Sequence, residues 1–174
     1  GTSVYFPDRA VPMFPPELSN EICCLHPRTD RLTMTVELKF DENGEGRGVR
    51  FYPSVIRSDE RLTYPLVKKI LVDGDVRLKE KFGHILPSLE LMADLSQKLR
   101  RRRMERGAID FDLPEPEIIL NLQGETEEII RAERNLSHQI IEEFMIAANE
   151  GVAHFMEEKG FPFIYRIHEP PQKE

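Results

Sequence analysis

The sequence predicts an α+β fold, in which a mixed, mainly antiparallel sheet carries helices at its flanks. Two hairpin patterns and two long stretches of helical periodicity support this. Prolines at 7, 12, 15 and 16 make residues 1–30 an extended, irregular lead-in. From Arg31 to Phe40, Leu32, Met34, Val36, Leu38 and Phe40 alternate with polar residues, the period of a strand with one buried face. Asn43 and Gly44 supply turn chemistry for a loop longer than two residues, and Arg47 to Ile56 forms the returning strand. Pro53 should end regular pairing or mark a bulge. Thr63 can cap a short helix through about Leu71, with Pro65 tolerated in its first turn. A longer helix runs from Ile85 to about Met104, with Leu89, Met92, Leu95 and Leu99 at helical spacing. After a loop over 106–116, Glu117–Leu122 and Glu127–Arg131 read as a second hairpin around Gln123, Gly124 and Glu125. Asn135 caps the longest helix, which should reach about Lys159 and stop at Gly160. Phe163–His168 closes the chain as a short strand.

A chain of 174 residues with 40% apolar side chains can bury one sizeable core, so one domain is expected. It shows no leader pattern, and no apolar run approaches the roughly 20 residues of a membrane span. A soluble protein without a membrane partner is expected. Cys23 and Cys24 are adjacent, which removes both a disulfide framework and a CxxC zinc site and makes the reducing cytoplasm the simplest setting. The net charge of −7 argues against nucleic-acid binding over the whole surface, so any RNA contact must be local.

Several residues could carry chemistry. In the last helix, Leu136, Ile140, Phe144, Ala148, Val152 and Phe155 form one apolar arc at about 100° per residue. His138, Glu142 and Asn149 fall within roughly 40° of one another beside that arc. As an i, i+4 pair, His138 and Glu142 can be simply a surface contact; two such residues do not make a metal site, and none is assigned. The run Arg100–Arg103, with Arg106 behind it, points around all sides of a helix end. It reads as a solvated terminus or as one or two contacts to an RNA backbone or a neighbouring protein segment. Asp110–Glu117 is acidic and proline-rich, more a solvated loop than a metal array.

Four segments carry a resemblance: ELSNEICCLHPRTDRLTM at Glu17–Met34, RLTY at Arg61–Tyr64, RGAIDF at Arg106–Phe111 and IIEEFMIAAN at Ile140–Asn149. In this order they are similar to the catalytic domain of the ribonuclease II/R (RNB) family. The resemblance implies a hydrolytic, processive 3′ to 5′ exoribonuclease that uses magnesium and releases nucleoside 5′-monophosphates from single-stranded RNA. It places the important glutamate of the family's EE pair on Glu142, where it would bind or orient the scissile end of the RNA. It places the aromatic pair that pinches the terminal nucleotides on Tyr5, in SVYFPD, and on Phe111. Tyr64 would line the same channel. Taken alone, Phe111 reads more readily as a core or loop anchor, Tyr5 can simply pack near the terminus, and Tyr64 is equally a buried, hydrogen-bonded tyrosine at a helix start.

The family's aspartate cluster would precede Gly1 and its phosphate-contacting arginine segment would follow Glu174. The chain is therefore expected to be one partial RNB catalytic domain excised from a longer parent, with magnesium ligands outside it. By itself it should fold without degrading RNA, and the rest of the parent chain is its natural partner. Exposed apolar patches are expected where that partner is missing, so an oligomer of the piece could be an artefact of excision. Two other readings remain: a noncatalytic RNA-binding relative with the same fold, and a structural module without an RNA role.

Overall fold

The computed structural model describes residues 2–109, 116–121, 123–131 and 134–167. Strand β1 (Val4–Tyr5) pairs with β2 (Ala10–Val11), β3 (Asp30–Phe40) with β4 (Gly46–Arg57), and β5 (Pro116–Leu120) with β6 (Thr126–Arg131), each antiparallel. The α-helices are α1 (Tyr64–Leu71), α2 (Val76–Lys81), α3 (Leu86–Glu105) and α4 (Leu136–Glu158). The α+β expectation holds. The pairing is antiparallel, and among the described residues the strands form three separate two-stranded ribbons. Each ribbon pairs only across its own turn.

The prolines of the lead-in act differently from the expectation. Pro15 and Pro16 start a helical turn over Glu17–Ile22, where the Pro15 carbonyl accepts from Leu18 N–H at 2.9 Å and Ser19 N–H at 3.0 Å. A proline lacks only a donor that a first helical turn would leave unpaired anyway. The turn is wide, closing with Cys23 N–H on the Leu18 carbonyl at 2.9 Å, an i to i−5 bond. Pro53 does not end pairing either; it sits opposite Met34, and β4 continues to Arg57. A two-stranded ribbon has a free edge on each strand, so alternate N–H groups need no partner. Helix α2 was not expected; Asp75 caps it by accepting from Leu78 N–H at 3.1 Å. Residues 161–167 show no strand pairing, so Phe163–Ile167 lacks the neighbour that its alternation requires, and His168 lies outside the described residues.

The turn between β3 and β4 is built by one side chain. Asp41 Oδ1 accepts from the N–H groups of Asn43 and Glu45, both at 2.9 Å, and Gly44 takes φ +75°. Asn121 repeats the device between β5 and β6, accepting from Gln123 at 3.0 Å and Glu125 at 2.9 Å, with Gly124 at φ +82°. Both ribbons shift register just before the turn, between Lys39 and Phe40 and between Ile119 and Leu120. The Glu45 N–H and then the Arg47 guanidinium hold the Asp41 carboxyl below its ordinary value. The contribution of its charge to stability is thus present above the unfolded-state pKa and lost as pH falls through the lowered folded-state one. Asp41→Asn, which copies Asn121, should keep the turn and flatten this acid dependence, whereas Asp41→Ala should lower the melting temperature by a few degrees. Thermal melts between neutral and acid pH check both.

The core lies where α1, α2 and the start of α3 meet. Ile70 is fully buried there with Phe82 and Leu89, and Leu66, Leu78 and Met92 pack around them. Helix α4 crosses against α3 and α1, burying Ile140 and half-burying the rest of its expected apolar arc. It also covers the turn end of β3 and β4: Phe51 and Phe155 have ring centroids 4.6 Å apart, and a Cβ at Gly151 would come within 2.9 Å of Leu38 Cδ2. The far end of the same ribbon face is bare, with Leu32 88% and Met34 71% exposed.

Candidate functional site

The start of α4 is locked from both sides. Thr63 caps α1 as expected, and the Tyr64 carbonyl at its first turn accepts from Ser137 Oγ at 3.0 Å. Asn135 caps α4 as expected, accepting from Ser137 N–H at 3.0 Å, while His138 Nδ1 accepts from Asn135 N–H at 3.4 Å. This reciprocal cap uses His138 for structure. Its ring stacks on Tyr64 at 4.1 Å and 24°, so His138 does not pair with Glu142. Tyr64 is 42% exposed, so it is not buried; its ring rests on α4 one helical turn before Glu142.

Glu142 meets arginines instead. Arg134, just before the cap, donates from Nη2 to Glu142 Oε2 at 2.8 Å, and Arg103 Nη2 of α3 stands 3.6 Å from Oε1. Beside it, Glu143 is only 3% exposed and receives Arg103 Nε on both oxygens at 3.2 Å and Nη2 at 2.5 Å. Among the described residues two guanidiniums and two carboxylates meet here. Glu142 is a fixed acceptor, its side chain 35% exposed, whose charge is offset by the adjacent guanidiniums.

These arginines were not legible as such. In the sequence Arg103 belonged to a solvated run, yet the buried stripe of α3, Leu89, Ala93 and Ser96, continues at alternating steps of four and three to Arg100 and Arg103. That spacing was the available signal. Arg134 lies ahead of the cap, outside any helical periodicity, and meets Glu142 eight residues further along the chain.

Tyr5 stands on β1, 80% exposed, next to Phe6, whose ring carries the Arg9 guanidinium 5.4 Å from its centroid. An exposed ring of this kind can stack on a base. Among the described residues no hydrogen bond or ion pair joins Tyr5 to α1 or α4. Phe111 lies outside the described residues. No three His, Cys, Asp or Glu side chains among the described residues are placed to hold a metal ion, and Glu142 is already engaged by guanidiniums. The described residues do not fit a magnesium site.

The RNB domain family model matches residues 1–174. The chain belongs to the RNB family. Relatives of this RNB chain include ribonuclease R of Aquifex aeolicus, 48% identical over the whole chain, and ribonuclease R of Escherichia coli, 41% identical over the whole chain. The chain spans 24% and 21% of their lengths, respectively. A solved Mycoplasma genitalium RNase R in complex with ribose-methylated single-stranded RNA superposes with a TM-score of 0.90 at 31% identity, over 98% of this chain and 26% of that one. Among the described residues no helix is long and apolar enough to cross a membrane.

Proposed function

We propose that this RNB chain forms part of the catalytic domain of a processive 3′ to 5′ exoribonuclease that hydrolyses single-stranded RNA to nucleoside 5′-monophosphates. The observation that carries the reading is Glu142, a carboxylate clamped by Arg134 and facing Arg103 inside the IIEEFMIAAN segment of a full-length family match. A related RNase R has been solved with single-stranded RNA and another form of it with double-stranded RNA, which supports RNA as the partner.

In this reading Glu142 accepts a hydrogen bond from the terminal nucleotides, from a ribose hydroxyl or a water, and so fixes the scissile end. Tyr5 and Phe111 stack on terminal bases, and Tyr64, held by His138 and Ser137, walls the channel beside them. The magnesium that such hydrolysis uses sits on ligands from the rest of the full-length protein; isolated, the chain folds but does not cut RNA. The free thiols of Cys23 and Cys24 suit the reducing cytoplasm.

Tyr5→Ala in the full-length protein should weaken single-stranded RNA binding by the worth of one stacked base, about 1–3 kcal/mol or roughly 5- to 150-fold. It should also change the length of the limit product. Fluorescence anisotropy and gel analysis of end-labelled RNA measure these; unchanged affinity together with an unchanged limit product would remove Tyr5 from the site.

A further inference from the structure

A second surface lies along α4 from Glu142. Glu150 is eight residues further on, about 12 Å along the helix axis, and there the β3–β4 turn, the end of α3 and α4 enclose an open groove of about 680 Å³. Its floor is apolar, with Leu38, Leu99 and Ala147, and its rim carries the cations Lys39, Arg47, Arg102 and Arg106 with the carboxylates Glu150 and Glu158. Two of these cations are answered. Arg47 meets Asp41 at 2.7 Å and Glu45 at 2.8 Å, and Arg106 meets Glu150 at 3.3 Å in an exposed, exchangeable pair.

Arg102 and Lys39 form no salt bridge among the described residues. The stem of Arg102 is braced by the turn: a Cβ on Gly44 would lie 3.7 Å from Arg102 Cδ and 3.0 Å from Lys98 Cβ. The hairpin wall is bare backbone. Gly46 and Gly48 have no atom within 4 Å of where a Cβ would sit, and neither has a positive φ. The groove thus offers two cations outside any salt bridge, Arg102 with its planar guanidinium fork and Lys39, whose field reaches Glu37, and room for a bulky strand, in a chain whose net charge is −7.

We propose that this groove binds the sugar–phosphate backbone of single-stranded RNA, as a path separate from the site around Glu142. It rests on the exoribonuclease reading for the identity of the polyanion. The cations of the rim contact phosphates, and the aliphatic floor has no hydrogen-bonding group to read a base edge, so the contact is independent of base sequence. An acidic protein segment is the rival occupant, and the test separates the two.

The affinity of the full-length protein for a labelled single-stranded oligoribonucleotide is measured against salt concentration. Each phosphate contact contributes a slope of about −0.7 in log K against log salt, so Lys39→Ala with Arg102→Ala should flatten the slope by about 1.4 and weaken binding. Gly48→Glu meets no steric obstacle and should weaken binding while leaving the melting temperature unchanged. If both variants keep the wild-type slope and affinity, the groove is not an RNA path. If they keep them while the melting temperature falls, the groove is covered by protein, and the proposal is equally overturned. Failure of the wild-type protein to bind the oligoribonucleotide at all would instead strike the exoribonuclease reading itself.

Discussion

Glu142→Gln in the full-length protein is expected to slow the turnover of single-stranded RNA by about 10²-fold while leaving RNA affinity within a few-fold of wild type. Gln keeps the size of the side chain but replaces one oxygen by an NH₂ group. In the structure both oxygens face guanidiniums, Oε2 toward Arg134 at 2.8 Å and Oε1 toward Arg103 at 3.6 Å. Either orientation of the amide therefore sets a donor against a donor, and the side chain must turn away. An acceptor displaced by about an ångström no longer holds the reacting end in line, which is where a loss of this size originates. Because Glu142 is partly exposed, the fold itself should lose little. Single-turnover hydrolysis combined with an urea melt separates the two effects; unchanged turnover removes Glu142 from the machinery.

Arg103→Ala should have the largest effect on stability, about 3–5 kcal/mol. Glu143 is 3% exposed and takes both Nε and Nη2 of Arg103, so truncation strands a carboxylate in the α3–α4 interface. Against a typical total of about 5–15 kcal/mol, that is a large fraction. Replacing the pair together, Arg103→Met with Glu143→Leu, removes the charge as well as its partner and should restore most of the loss. Urea denaturation of the three proteins checks the ordering. The same geometry makes Arg103 unsuitable as a probe of RNA contact, because a binding defect after its removal would report unfolding.

Local chemistry was legible in the sequence. The alternation from Leu32 to Phe40, the turn at Asn43–Gly44, the caps Thr63 and Asn135 and the stop at Gly160 each depend on neighbours within a few residues, and each is found. Features set by distant partners were not. Phe163–Ile167 alternates like a strand but pairs with none among the described residues, where the strands form three separate ribbons. Pro15 and Pro16 read as breakers because their missing donors matter only inside a helix, not at its start. Helix α2, at six residues, is too short to show a period. At the site, the family segments point to Glu142, while the i, i+4 spacing makes His138 its companion. The capping box and the Tyr64 ring claim that histidine, and the arginines that frame Glu142 come from outside its helix.

The direction of RNA decay tests the central claim most directly. Single-stranded RNA labelled at its 5′ end is incubated with the full-length protein and magnesium, and nucleoside products are identified alongside the gel. The account predicts conversion of full-length RNA to a short limit product without accumulated intermediates, with nucleoside 5′-monophosphates released from the 3′ end. Internal cleavage, decay from the 5′ end, or tight RNA binding with no hydrolysis would contradict it.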